Sequence, residues 1–454
     1  MRDLLSVGGS IFVQIGDENV HRVRALLDEV FGEKNFLSLI SIQTTSGFQA
    51  EFLGNMSDFV IWYARDKNNC RSHTPFYRRT FELGQGNARW LMFDDFTYRG
   101  VTASEKRGEV PVSQNTKPYK PGDLISQGRA KEKQPFKFRG KTYDTWHKNS
   151  HWKANYPAGM KRLAMAGRVH VAKNSIQYIR YHTDFDVAVH GNIWTDTGTG
   201  NFTDDKVYVV QTNTKVIERC ILMATNPGDL VLDPTCGAGT TATVAEQWGR
   251  RWITIDTSRV ALALARTRLM SARYPYYFLA DTPEGRAKEQ DVSGVIQSDT
   301  QTHGDIRQGF VYERAPHIML KTIATNTEID VIWDEWQEVL EPLREKLSAA
   351  LGEAWEEWEI PRDADDSWPK NAKELHEEWW IGRIARQQEI DTSIAQKADV
   401  EYLYDRPYED TSKVRVAGPF TVESLSPHRV IPADESELIH EVDAADGKRA
   451  RTGG

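Results

Sequence analysis

Cysteine is scarce. The 454 residues hold three, Cys70, Cys220 and Cys236, with no paired spacing. That excludes a disulfide framework and a cysteine-built zinc site, leaves no metal expected, and fits a reducing cytoplasm. No apolar run approaches the roughly 18 residues of a membrane span. The opening Met1-Arg2-Asp3-Leu4-Leu5 has no signal-peptide pattern, and no internal repeat is present. Excess positive charge is also missing. The formal net charge is −8, so the total does not announce a nucleic-acid binder. The length suits about two to three domains.

What is there centres on residues 231–241. An apolar run, Leu230 to Leu232, ends in Asp233. A turn with Gly237 and Gly239 follows, and then a helix-forming run at 242–248. Strand, tight glycine loop and helix in that order is where a doubly wound α/β sheet holds a ligand against a helix N-terminus. Asp256 closes a second apolar run, and an acid roughly 20 positions past a glycine loop suits a ribose hydroxyl pair. Before it, Ser10 to Ile15 reads as a buried strand. Asp17 is the expected N-cap of an amphipathic helix over 20–31, with Leu26, Leu27, Val30 and Phe31 inward and Gly32 ending it. Strands are expected near 36–43 and 58–64. Further on, the reading is a short strand at 207–211, a helix at 215–224, a turn at Asn226-Pro227-Gly228-Asp229, a helix capped by Ser258, and a final strand at 274–279.

From 70 to 191 the periodicity fades. Between 101 and 173 there are sixteen cations and five acids, a local basic footprint in an otherwise acidic chain. Lys131, Lys133, Lys137, Arg139, Lys141, Lys148 and Lys153 are the candidate phosphate contacts. Trp146, with Trp152, Tyr119 and Tyr143, is a candidate stacking residue. Residues 281–304 read as a linker or surface loop, and 310–323 as a strand pair or extended segment. Residues 326–380 read as an acidic helical hairpin whose Trp333, Trp336, Trp355 and Trp358 form a stripe packed on the body. The tail after Pro432 reads as disordered.

At Asp233-Pro234-Thr235-Cys236-Gly237-Ala238-Gly239-Thr240-Thr241, and again at Gly249 to Asp256, the chain resembles amino-group DNA methyltransferases. The order is similar to the β class, and most to the modification subunits of type III restriction–modification systems. Leu5 to Val13 and Val30 to Phe36 resemble the segments after that family's catalytic motif. The resemblance implies a Rossmann-like, class I S-adenosylmethionine-dependent methyltransferase sheet in permuted order, carrying an irregular basic insertion and an acidic helical C-terminal region. It implies S-adenosylmethionine as cofactor. Asp233, Pro234, Thr235, Gly237, Gly239, Thr240, Thr241 and Asp256 would bind it. Gly237 and Gly239 would admit backbone N–H groups, Asp233 would face the methionine end, and Asp256 would hold the ribose. It implies double-stranded DNA with a flipped adenine as substrate and N6 as the methylated atom, with N4 of cytosine the alternative. A helicase–nuclease restriction subunit and a second copy of the chain are the implied partners. The implied division is 1–69 and 192–281 for the methyltransferase sheet, 70–191 for target recognition, 282–305 for a linker, 306–431 for an accessory region and 432–454 for the tail.

The family grips the flipped base with an Asp/Asn-Pro-Pro-Tyr/Phe loop upstream of the segment equivalent to Leu4–Val13. No such tetrapeptide occurs in these 454 residues. Asp405-Arg406-Pro407-Tyr408 is the nearest, has arginine for the first proline, and is read as a turn. The expectation is therefore a chain lacking the first strands of its catalytic half, with no catalytic residue of its own. It would be either a family enzyme missing that loop or the cofactor- and DNA-recognition half of a split or decayed one.

Overall fold

The computed structural model describes residues 1–45, 52–79, 89–113, 115–128, 130, 132–145, 149–198, 212–296 and 300–423. The expected strand at 207–211 and the tail after Pro432 lie outside them.

The first layer forms from alternation. Strand β1 (Ser10–Ile15) runs antiparallel to β3 (Ser57–Ala64), which runs antiparallel to β2 (Phe36–Gln43). Helix α1 (Val20–Phe31) lies between β1 and β2 in the chain. With a side-chain period of two, Ile61 and Tyr63 face one way and pack on Leu27 and Phe31 of α1. Val60 and Trp62 face the other way. The predicted inward set for α1 is half right. The buried stripe is Leu27 and Phe31, flanked by Val20 and Val23, whereas Leu26 is 57% and Val30 40% exposed. Positions 20, 23, 27 and 31 share one helical face, and 26 and 30 lie about a quarter-turn round from it. The predicted cap also shifts. Asn19 is the N-cap residue and makes no side-chain cap bond, while the carboxylate of Asp17, the expected cap, accepts from Asn55 Nδ2 at 2.9 Å.

A middle segment follows, and it is more regular than its sequence texture. Strands β4 (Trp90–Met92), β5 (Tyr98–Gly100) and β6 (Lys117–Gly122) come first. A hairpin of β7 (Phe136–Phe138) and β8 (Lys141–Tyr143) and helix α2 (Ala158–Met165) follow, then β9 (Val169–Val171) and β10 (Ile176–Tyr181). They form an antiparallel five-stranded sheet in the order β9-β10-β6-β4-β5, with the hairpin outside it. Three of its strands, β4, β5 and β9, have three residues each and are too short to announce themselves by alternation, so the sheet as a whole leaves little trace in the sequence.

The chain then returns to the first sheet. Strand β11 (Ile193–Trp194) pairs parallel with β2, and α3 (Thr214–Ala224) lays Val216, Cys220 and Met223 over Ile40, Ile42 and Val60. Helices thus cover both faces, as in a doubly wound α/β sheet. The opposite face of α3, at Ile221 and Leu222, packs on Val244, Ala245 and Trp248. That second cluster belongs to β12 (Leu230–Asp233), α4 (Thr240–Gln247) and β13 (Arg251–Thr254). Strands β12 and β13 are a parallel pair. Helix α5 (Arg259–Ser271), capped by Ser258, and strand β14 (Tyr274–Tyr277) complete the half. Among the described residues β1 and β12 each have a strand on one side only.

Residues 281–304 are not loop throughout. Helix α6 spans Pro283–Ser293, with Thr282 accepting from the Gly285 N–H and proline at the first position. Residues 310–323, expected as a strand pair or extended segment, give one strand, β15 (Tyr312–His317), and then a short helix, Leu320–Ala324. The acidic hairpin is present as α7 (Glu328–Leu351) and α8 (Lys370–Lys397), but its tryptophan stripe is broken. Gly352, with φ of 70°, ends α7, so Trp355 packs on Trp368 from a loop and Trp358 stays 45% exposed. The helices share a core with the middle segment, where Ile329, Ile390 and Ile394 meet Leu124, Met160 and Leu163. Strand β16 (Asp399–Pro407) pairs with β15, and β17 (Glu409–Arg415) pairs with β14. Asp405 to Pro407, expected in a turn, are therefore the end of a strand. The Arg415 guanidinium donates to the Glu246 and Gln247 carbonyls at the C-terminus of α4. There it satisfies acceptors that a helix end leaves free.

Candidate cofactor site

The loop between β12 and α4 is built from its two acids. Asp233 Oδ1 accepts from the Thr235 N–H at 2.9 Å and from Thr235 Oγ1 at 3.0 Å, which folds the chain back at the strand end. Asp256, two residues past β13, has one oxygen on the Gly237 N–H at 2.8 Å and the other on the Ser258 N–H at 2.8 Å. The parallel register places Asp233 opposite Thr254, and the bonds from Ile255 N–H to Asp233 O and from Cys236 N–H to Ile255 O tie loop to strand. Two carboxylates thus bracket a loop whose tip residues, Pro234 and Thr235, are exposed while Cys236, Ala238 and Gly239 are buried.

Each expected binding residue has a definite place. Gly237 has φ of 50° and Gly239 φ of 75°, so both need the freedom of glycine. Their own N–H groups are engaged inside the loop. The Gly237 N–H goes to Asp256 and the Gly239 N–H to the Cys236 carbonyl. Gly239 serves packing instead, since a Cβ there would lie 2.7 Å from the Ala265 Cβ of α5. Neither Thr240 nor Thr241 caps the helix, because α4 has Gly239 as N-cap and no side-chain cap bond. Thr240 Oγ1 accepts from Arg268 Nη1 at 3.1 Å. Thr243, which the sequence did not single out, donates to the Gly239 carbonyl at 3.0 Å. Cys236 is 4% exposed, and burial, first among the causes, pushes its thiol up, as suits a small packed residue and not a nucleophile.

Asn226 and Asp229 of the turn before β12 also carry more than the sequence suggested. Asn226 meets His73 Nε2 at 2.7 Å, and Asp229 is ion-paired with Arg71, so the turn is fastened to the segment after β3. Buried Arg250 donates to the Thr225 carbonyl at 2.7 Å, just past the end of α3.

The candidate DNA contacts divide. Lys131, Trp146 and Lys148 lie outside the described residues. Lys133, Lys137, Arg139 and Lys141 are exposed and have no ion-pair partner among the described residues. The last three sit on the β7–β8 hairpin, where Arg139 and Gly140 form the tip with φ of 44° and 72°. Lys153 lies 3.8 Å from Asp123, an exposed pair. Other cations of the basic run are committed inward: Arg162 to Asp330 at 2.7 Å, and Arg168 to Asp184 at 2.7 Å with both groups buried. The aromatic expectation fails for three residues. Tyr119, Tyr143 and Trp152 are 0%, 6% and 4% exposed, with the Tyr119 hydroxyl on His170 and Trp152 Nε1 on the Gln134 carbonyl. They are core, and no base can reach them.

A parallel strand pair, a glycine loop, a helix N-terminus, an acid ending β12 and another two residues past β13 define an α/β protein with a candidate nucleoside-cofactor loop. The family follows from comparison: the chain belongs to the N6/N4 DNA methylases, whose family model, described as DNA methylase, matches residues 1–267. A type II methyltransferase of Enterobacter cloacae, M.EcaI, is 26% identical over 311 residues, which is 64% of this chain and 60% of that protein. A probable type III restriction–modification Mod subunit, HindVI of Haemophilus influenzae, is 23% identical over 316 residues, 59% of this chain and 42% of that one. The chain thus spans less than two thirds of these curated relatives. The crystal structure of an M1.HpyAVI–SAM complex aligns with 59% of this chain and 76% of its own at 13% identity, with a TM-score of 0.28, too low to place any residue. Among the described residues no helix is long and apolar enough to cross a membrane.

Proposed function

We propose that this chain binds S-adenosylmethionine at the Asp233–Gly239 loop and serves methylation of adenine N6 in duplex DNA. We place it in a restriction–modification system beside a helicase–nuclease subunit, with residues 70–191 as the target-recognition part. The observation that carries the reading is the bracketed loop, with Asp233 and Asp256 held on its two sides by backbone N–H groups. Each Asp256 oxygen accepts one N–H and keeps a lone pair, so a vicinal diol fits as a double donor. The open end of α4 favours polar groups beside it. The cofactor supplies the methyl group. The chain's own residues supply its orientation. No Asp-Pro-Pro-Tyr-type tetrapeptide is present, so in this reading the base-gripping residues come from outside residues 1–454, and among the described residues β1 and β12 each have an edge open to a further strand.

The test is calorimetry with S-adenosylmethionine. Wild-type chain should bind, and Asp256→Ala should weaken binding by roughly 2–3 kcal/mol, about thirty- to 150-fold. Equal affinities would sink the ribose assignment. With labelled cofactor and DNA, residues 1–454 alone should transfer almost no methyl group. Robust transfer would show an unrecognised base-gripping loop, and nucleoside analysis of the product would separate N6-methyladenine from the alternative, N4-methylcytosine. The missing tetrapeptide favours a second reading, the cofactor- and DNA-recognition half of a split or decayed methyltransferase. Addition of a separate polypeptide carrying the motif restores transfer for a split enzyme and not for a decayed one.

A further inference from the structure

Far from the cofactor loop, α8 buries two arginines on one carboxylate. Arg383 Nε lies 2.7 Å from Glu357 Oε1, and the Arg386 guanidinium is ion-paired to the same oxygen. Their side chains are 13% and 0% exposed, against 22% for Glu357. Flat aromatic faces hold the guanidiniums in place, with Arg383 4.1 Å above the Phe96 ring and Arg386 3.8 Å above the Trp333 ring. Three buried donors, Arg383 Nη1 and Arg386 Nε and Nη1, have no hydrogen-bond partner. A third arginine adds to the charge: Arg139, at the exposed hairpin tip, is close enough to Arg383 to depress its protonation electrostatically. Burial is the largest influence on Arg383, and it and the neighbouring guanidiniums outweigh Glu357 and bring the group down to about 10.

Two buried arginines against one carboxylate leave an uncompensated positive charge with unused donors in a planar, pre-positioned fork. Buried cations are stable only when paired and fully hydrogen-bonded. An ordinary structural pair would match one guanidinium with one carboxylate, as Arg168 and Asp184 do. We propose that Arg383 and Arg386 form a binding site for a phosphate group, which takes the place of Glu357 on the shared guanidiniums. Arginine forks match tetrahedral oxyanions bidentately, and a phosphate has oxygens enough for all three donors. The same chemistry is offered by a DNA backbone phosphate and by a free phosphate.

Thermal unfolding of the full chain, without cofactor or DNA, tests it with inorganic phosphate against chloride at equal ionic strength. Phosphate also stabilises proteins by surface exclusion, so the variants decide. The midpoint gain in phosphate should be present in wild type, larger in Glu357→Gln, where the competing carboxylate is gone, and lost in Arg386→Met. Equal gains in wild type and Arg386→Met would overturn the proposal. Should Arg386→Met fail to fold, a Glu357→Gln gain no larger than wild type's overturns it alone. A duplex oligonucleotide then separates the sources. If DNA cancels the phosphate gain, the occupant is a backbone phosphate; if the gain persists with DNA bound, it is free phosphate. Because the phosphate arms use neither DNA nor cofactor, their failure is distinct from a failure of the methyltransferase reading.

Discussion

Gly239 is constrained twice. Its φ of 75° lies in the left-handed region, which costs a residue with a Cβ about 1–2 kcal/mol, and that Cβ would collide with Ala265 at 2.7 Å. Gly239→Ala should therefore destabilise the chain by roughly 2–4 kcal/mol. Denaturant unfolding measures this, and a loss below about 1 kcal/mol would show that α5 yields easily. The residues of the loop were legible because glycines and acids at fixed spacing mark a turn whatever surrounds it. Their partners were not. That Asp256 would spend itself on Gly237 and Ser258, or that Gly239 would serve helix packing, depends on where α5 lies, and no local pattern encodes that distance. Exposure failed for the same reason, since a tyrosine or tryptophan among lysines reads alike whether it points inward or outward.

Helix α3 shows how an element joins parts of the chain. One face covers the first sheet, the other covers α4, and Glu218 is close enough to feel the charge of Asp405 on β16. Burial first, and Asp405 second, push the Glu218 carboxyl up to about 7, against the opposing pull of Arg219 and Lys215. A carboxyl raised in the folded state holds a proton that the unfolded chain releases. Its contribution to stability therefore grows as pH falls from about 7 toward its ordinary value, and is least above pH 7. Two to three pH units correspond to about 3 kcal/mol at most. Glu218→Gln should be more stable than wild type at pH 8 and lose that advantage by pH 5. The difference between the two proteins cancels His73 and His190, whose protonation burial disfavours. Parallel pH curves would refute the coupling of α3 to β16. Long elements such as α1, α3, α5 and β2 could be placed from periodicity and caps. The five-stranded middle sheet and the pairing of β17 with β14 could not, because three-residue strands and distant pairings leave no periodic trace.

For the whole molecule, the proposed function asks how a chain of net charge −8 would approach a polyanion. Charge is partitioned, not balanced. The acids of α7 and α8 lie on the helical hairpin, while the β7–β8 hairpin carries Lys137, Arg139 and Lys141, exposed and unpaired among the described residues. Arg162 and Arg168 belong to the same basic run but are consumed by Asp330 and Asp184, so counting cations overstates the footprint. DNA affinity should fall linearly in log–log plots against salt, with a slope near 0.9 per phosphate neutralised. Replacing Lys137, Arg139 and Lys141 together by alanine should flatten that slope by about two to three and weaken binding across sequences alike. Arg162→Ala should leave the slope unchanged and lower stability instead, since it strands Asp330 and frees the Ala324 carbonyl to which Arg162 Nη1 donates at 2.9 Å. Fluorescence anisotropy between 50 and about 200 mM salt distinguishes the two. A triple variant with the wild-type slope would move the DNA surface away from the hairpin and leave the basic run as a solvated face of the fold.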